Sequence, residues 1–412
     1  MGNNNCTNKK IVDVVSNTTA DIVSDEKQKK PIPKCYVINL NNYDECVDSQ
    51  IPEGVEHIHW SYDYHRINKI IFPNSVKIFT FNYEYDTELA KNFIFPPNLQ
   101  KLEFGHKFNQ SLTNVILPNS LQVIKFGDEF NQSLEGVNLP NSLEKIIFGN
   151  NFNRSLNDVI LPNNLKDIEF GNMFNQPIYK ILFPNSINRI IFRNDFNQPL
   201  DKVKFPNSLT TILFNSGNFN QSLDKVIFPN DLKTLWINSC FNQCLDNVKF
   251  PNNLQRLVLS NKFNQSLDNV KFPDGLKVIE LWGIFNQPIV NTTFPSELQT
   301  LLFNSVFNQQ LPDKIFPNLQ TIAFGDYFNQ SITNINAPLL NKITFGENYS
   351  HPLTNINAPN LHTIDIQKSI PLNIVNIIDN LPLSIQKIII KRNYVSLIDV
   401  TKLPYGCIIE SV

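Results

Sequence analysis

The sequence predicts an all-β or mostly β solenoid of about 17 turns, with a period of 22 residues and two short strands in each turn. Three observations predict it. First, Phe-Asn-Gln recurs, as in Phe219-Asn220-Gln221-Ser222-Leu223, with Phe at 108, 130, 152, 174, 196, 219, 241, 263, 285, 307 and 328 and Arg154 replacing Gln once. Second, a Phe/Leu-Pro-Asn landmark lies half a period away, with Pro at 118, 140, 162, 184, 206, 229, 251, 273, 295, 317, 338 and 359. Third, both series step by 22 residues almost throughout, a period too long for a helix or strand and right for a stacked supersecondary unit.

Residues 118–139 show what one turn contains. Leu121, Ile124 and Phe126 are followed by Gly127-Asp128-Glu129, then Phe130-Asn131-Gln132, then Leu134, Val137 and Leu139 before Pro140. In Ile-x-Phe and Val-x-Leu the apolar residues alternate, the strand period. Each piece is too short to stand alone. Pro fixes φ and Asn tolerates turn geometry, so the chain bends between the pieces. Gly at 105, 127, 149, 171, 325 and 346 is read as a further bend. One turn cannot bury its own Leu, Ile and Phe, so Phe130 is expected between Phe108 and Phe152 in a continuous column. Asn is a poor core residue, but its amide can bond backbone groups of its own and the next turn. Asn109, Asn131, Asn153 and their successors are therefore expected to form a ladder that satisfies buried turn groups.

On these residues the chain resembles the FNIP-repeat proteins, a leucine-rich-repeat-like family of amoebae and of the large DNA viruses that infect them. The family signature spells Phe-Asn-Ile-Pro; here it reads Phe-Asn-Gln-Ser or Phe-Asn-Gln-Pro. The resemblance covers roughly residues 51–366 and implies a leucine-rich-repeat-like solenoid. Many relatives carry an F-box, a ubiquitin-ligase adaptor, ahead of the repeats; none is evident in this sequence.

Taken in order, residues 1–30 read as a flexible tail rich in Asn and Lys. Met1-Gly2 with Cys6 and Lys9-Lys10 admits a lipid anchor at Gly2 and Cys6, against the plainer reading of an ordinary tail. Residues 31–72 hold an N-terminal cap, with a strand near Cys35–Leu40, and a degenerate first repeat beginning at Ile51-Pro52. Residues 73–366 are the regular solenoid. Residues 367–412 read as degenerate repeats and a cap, with a short helix within 370–381, since terminal turns must shield the core.

Composition narrows the function. The 412 residues are 42% hydrophobic, with 32 Phe and 13 Gly. A net charge of −2 gives no reason to expect nucleic-acid binding. No apolar run is long enough to span a membrane, and the polar N-terminus does not read as a secretory leader, so a cytoplasmic chain is expected, in the host cytoplasm if it is viral. Six scattered cysteines fit a reducing compartment. The Asn-x-Ser triplets at 109, 131, 220, 264 and 329 coincide with the ladder and are expected to stay unmodified.

Chemistry is sparse. His57 and His59, with Glu56, Asp63 and His65 nearby, form the one metal-like cluster, but they hold outward strand positions that accept any polar residue. No phosphate loop or nucleophile elbow is present, so no enzyme, metal or cofactor is expected. The informative positions are those that vary while the frame repeats. Just before the last apolar strand residue stand Ile191, Leu213, Trp236 and Val258, with Ile147 two turns earlier; Arg189 and Arg256 lie two residues before Ile191 and Val258. These seven are the candidate partner-binding residues, because exposed apolar residues with Trp and Arg make binding hot spots. Two plainer accounts stay open: such residues suit strands anyway, or a terminal segment covers them. The expected function is non-catalytic protein–protein recognition by the sheet face of the central repeats. The family resemblance adds an alternative, substrate recruitment for ubiquitin ligation.

Overall fold

The computed structural model describes residues 35–38, 51–60, 71–89, 93–215, 217–333, 335–353, 356–366, 371–378 and 381–412. Gly2, Cys6, the expected tail, Asp63 and His65 lie outside the described residues. Between Phe174 and Asn175 the chain divides into two compact units.

The first unit carries parallel strands β1 (Cys35–Ile38), β2 (His57–Trp60), β3 (Ile78–Phe81), β4 (Lys101–Glu103), β5 (Val123–Lys125), β6 (Lys145–Ile147) and β7 (Asp167–Glu169), each paired with the next. The second carries β8 (Arg189–Phe192), β9 (Thr211–Asn215), β10 (Thr234–Asn238), β11 (Arg256–Leu259), β12 (Val278–Leu281), β13 (Thr300–Phe303), β14 (Thr321–Ala323), β15 (Lys342–Thr344), β16 (Thr363–Asp365), β17 (Lys387–Ile390) and β18 (Ile408–Ser411), again parallel in sequence order. Strand alternation sends one residue inward and the next outward, as in β9 and β10. The short helix α1 (Pro371–Ile378) forms where the sequence places it and buries Ile374, Ile377 and Ile378 on one side.

Each turn is closed by bends the sequence encodes. From Pro52 to Pro295 the third residue after each landmark proline donates back to the proline carbonyl, as Leu121 N does to Pro118 O at 3.1 Å. At Pro317, Pro338 and Pro359 the bond goes instead to the residue before the proline, as Leu319 N does to Phe316 O. A second bend joins Val137 N to Leu134 O at 3.1 Å, and a third joins Phe130 N to Gly127 O at 3.1 Å. The second bend explains why one strand forms per turn where two are expected. The Val-x-Leu run spends its first N–H on its own bend and ends at a proline, so little backbone is left to pair. Among the described residues it makes only the isolated bridges Ile94–Ile116, Ile315–Asn336 and Asn336–Asn357.

The phenylalanine columns form. In the first unit Phe108–Phe130 and Phe130–Phe152 centroids lie 6.2 and 6.1 Å apart with nearly parallel planes, and a second column Phe104–Phe126–Phe148 stands beside them. In the second unit Phe219, Phe241, Phe263, Phe285 and Phe307 stack at 5.9–6.1 Å. The asparagine ladder forms too: Asn131 N donates to Asn109 Oδ1 at 2.8 Å, and Asn242 N to Asn220 Oδ1 at 2.9 Å. Several of these Oδ1 atoms also accept from the next glutamine amide, as Asn220 Oδ1 does from Gln243 Nε2 at 3.0 Å, while after Asn131 the residue is Arg154, whose Nε donates to the Asn131 carbonyl. The ladder is half-exposed to exposed rather than buried, so it satisfies a rim of the turns.

The recurrent glycine has a different reason from the one the sequence suggests. Gly127 keeps φ negative, but a Cβ there would lie 1.7 Å from Gly105 O, and one on Gly149 the same distance from Gly127 O. Close approach of successive turns, not a left-handed bend, demands glycine. In the second unit Asn215 and Asn238 hold this place, and their strands run on to include them.

Two stability outcomes follow. Gly127→Ala drives a methyl into the neighbouring backbone and should cost about 1–3 kcal/mol or more in urea denaturation; an unchanged midpoint would refute the close-approach account. Tyr349 replaces Phe in the column, stacks 5.9 Å from Phe328, is fully buried, and its hydroxyl has no hydrogen-bond partner among the described residues. Burial pushes its phenol well above the ordinary tyrosine range. Tyr349→Phe should therefore raise stability by about 1 kcal/mol, read as a higher Tm.

Candidate functional site

In the second unit, strands β8 to β12 hold the outward residues side by side. Ile191 pairs with Leu213, Leu213 with Trp236, Trp236 with Val258, and Val258 with Glu280. Arg189, Thr211, Thr234 and Arg256 form the parallel column two residues earlier. Six of the seven predicted residues are thereby brought onto four neighbouring strands. Ile147 is not among them: it sits in the first unit on β6, between Lys125 and Glu169.

Exposure departs from the expectation. Val258 is 1% and Ile191 7% exposed, because large residues on one face at strand spacing cover each other. Both side chains are therefore closed to direct contact from outside. Arg189, Leu213, Trp236 and Arg256 are half-buried and form the accessible part of this face.

Trp236 and Arg256 are held in one arrangement. The Arg256 guanidinium carbon lies 5.4 Å over the Trp236 ring. Its Nε and Nη2 donate to Glu280 Oε1 at 3.0 and 2.7 Å, and the Trp282 indole N–H donates to Glu280 Oε2 at 2.8 Å. Glu280 is buried, at 6% exposure, so this pair is desolvated on its acidic side and its geometry is tightly set. The Trp236 indole N–H is itself buried and finds no acceptor among the described residues. Trp282 and Glu280 are missing from the predicted set. The sequence does carry a signal for Trp282, a tryptophan at the position that holds glycine in the first unit.

In the first unit the outward face of β2–β4 carries a polar relay. His57 Nε2 lies 3.0 Å from Thr80 Oγ1, Thr80 donates to Glu103 Oε2 at 3.4 Å, and Lys101 Nζ sits 2.9 Å from Glu103 Oε1. Burial, then the neighbouring His59, hold the His57 imidazole below its ordinary pKa. At Glu103 burial pushes upward, but the Lys101 hydrogen bond and charge outweigh it and leave the carboxyl below the usual range. No group of three potential ligands that could hold a metal occurs among the described residues. Likewise, no helix among them is long and apolar enough to cross a membrane.

A lowered histidine pKa fixes a sign. Above the unfolded-state value of ~6.5 the imidazole is neutral in both states and the fold keeps its full stability. As pH falls from that value toward the lower folded one, the unfolded chain takes up the proton first and stability is lost. Tm should fall between pH 7 and pH 5, and His57→Gln should make that fall shallower; an unaltered slope would show that His57 does not contribute.

Comparison with known proteins places this geometry. The family model described as FNIP Repeat matches residues 62–107, 108–151, 152–195, 196–240 and 241–282, more than half of the chain. Among solved structures the chain is similar to CroV588 of the giant virus CroV, a protein described as a novel circular LRR protein. The TM-score is 0.74 at 32% identity, over 87% of this chain and 53% of CroV588. The chain thus spans about half the length of CroV588. It also matches YopM from Yersinia enterocolitica, with TM-score 0.40, 16% identity, and coverage of 86% and 78%. A search of curated proteins finds no match.

Proposed function

Because the chain belongs to the FNIP-repeat family, a leucine-rich-repeat-like solenoid fold commonly used for protein–protein interaction, we propose that it recognises a protein partner and performs no chemistry of its own. The binding surface is the outward face of β8–β11, with Trp236 at its centre and Arg189, Leu213 and Arg256 around it. One observation carries this reading. Arg256 is stacked over Trp236 and pinned by buried Glu280, so the two residue types most enriched in hot spots are already ordered before a partner arrives. Ordering a tryptophan and an arginine in advance removes entropy that binding would otherwise lose. Val258 and Ile191, packed beneath, keep the platform rigid. A cytoplasmic site of action goes with this reading. Recruitment of substrates for ubiquitin ligation rests on the family resemblance alone, and no feature of the described residues favours it.

The test compares partners captured by the native chain with those captured by Trp236→Ala and by Leu213→Asp, after circular dichroism shows that all three fold. Partners of the native chain should bind Trp236→Ala about thirtyfold or more weakly, the loss of a hot spot worth ~2 kcal/mol or more. If titration of a captured partner gives equal affinity for all three chains, the proposed surface is wrong.

A further inference from the structure

The largest exposed apolar residues of the first unit lie on the return run, the stretch between the second bend and the proline, and not on the sheet face. Ile71, Ile94, Ile116 and Ile160 are 87%, 75%, 72% and 88% exposed. They occupy the same place in successive turns, just before the Phe-Pro or Leu-Pro step, with Asn138 taking that place between Ile116 and Ile160. The Ile94–Ile116 bridge shows that two of them lie directly side by side. A β-branched residue so far in water, repeated at one position, has no role in holding its own turn. Its inward neighbours Val115, Leu117, Val159 and Leu161 do that, each 6% exposed.

The surroundings point to the kind of partner. Before the stripe stand Asn114 and Gly136, and after it Asn119 and Asn141, all uncharged; Asp158 brings a carboxylate beside Ile160. With Asp158 as the one carboxylate among these flanks, the stripe offers little steering to a charged partner. Laid antiparallel against itself, it sets Asp158 of one copy at the Ile71 end of the other and not opposite its own counterpart. One residue type repeated at one turn spacing, about 4.8 Å, is also self-complementary under a two-fold axis, the requirement of an isologous interface. A stable pair buries ~800 Å² per partner, so the four isoleucines would form the centre of the interface and their asparagine flanks its rim. The second unit is built differently at the same position: Lys204, Lys249 and Lys271 interrupt Leu182 and Ile227, the placement of charge that natural proteins use to block such pairing.

We propose that the isoleucine stripe of the first unit is the interface at which two copies of this chain pair. The surface is separate from the proposed partner-binding face of β8–β11 and does not depend on it.

Sedimentation velocity of the full chain over a hundredfold concentration range tests this. The native chain should shift from monomer to dimer. Ile94→Lys with Ile116→Lys should weaken the pairing at least tenfold, while Ile227→Lys, at the corresponding position of the second unit, should leave it unchanged. Should the lysine variant fold poorly by circular dichroism, Ile116→Asn copies the residue the fold already accepts at Asn138 and should weaken pairing in the same direction. A native chain that stays monomeric throughout overturns the proposal, as does a dimer whose dissociation constant is the same in the stripe variants.

Discussion

A turn of this chain meets the next at two kinds of contact whose spacing must agree. Aromatic rings stack with centroids near 6 Å, as Phe108 does on Phe130, and an asparagine carbonyl receives the next backbone N–H at 2.8–3.0 Å, as at Asn109 and Asn131. The ring supplies most of the energy, about 1.5–3 kcal/mol for burying a large apolar side chain against ~1 for a typical hydrogen bond. The asparagine supplies the register. A ring tolerates sliding along its neighbour, but an amide bonded to one particular N–H does not. Glycine at 127 and 149 then sets how near the turns come, since backbone oxygen fills the space a Cβ would need. Everything else hangs on this three-part frame: the parallel pairing of the strands, the bends and the column of prolines.

Because the ring and asparagine parts of this frame recur in nearly every turn, most of the fold was legible from periodicity. Phe130, Asn131 and Pro140 recur at one step, and recurrence in a solenoid means superposition. The departures from expectation arise where local chemistry, not period, decides. Val-x-Leu has strand periodicity, yet the bond from Val137 N to Leu134 O removes a donor and Pro140 supplies none, so pairing fails. Gly127 looks like a bend and proves to be a spacing requirement. The sequence placed Ile191 and Val258 outward correctly, but direction is not exposure. Val258, between Trp236 and Glu280 on neighbouring strands, is covered by its own face. Which of several outward residues ends up on top depends on their relative size and on long-range pairing, such as Arg256 with Glu280, that no single repeat contains.

The same logic separates the two units. Their frames are alike, but the freely varying positions carry different physics. In the first unit the sheet face of β2–β4 carries a polar relay of His57, Thr80, Glu103 and Lys101, and the apolar surface has moved to the return run at Ile94 and Ile116. In the second unit the sheet face is apolar and aromatic, and the return run is interrupted by Lys204, Lys249 and Lys271. A solenoid can make such an exchange at little cost to the fold, since neither set of positions takes part in stacking. Apolar area exposed on one surface is therefore not a by-product of the repeat. It is a choice made independently in each unit.

Under the proposed reading, the arrangement around Trp236 offers what recognition needs. Catalytic groups must converge on one point with angular control, whereas parallel strands present side chains as a row of nearly parallel vectors. Convergence needs a residue that breaks the row. Trp282 comes nearest to doing so: it stands in the glycine position, just beyond the end of β12, and its indole reaches back to Glu280, which in turn fixes Arg256 over Trp236. Four side chains from three strands and one bend are thereby locked together. What they lock is a flat aromatic and cationic surface, not a nucleophile beside a base. Rigid area with ordered anchors is what discrimination among protein partners uses, because affinity lost to ordering is affinity unavailable for selection.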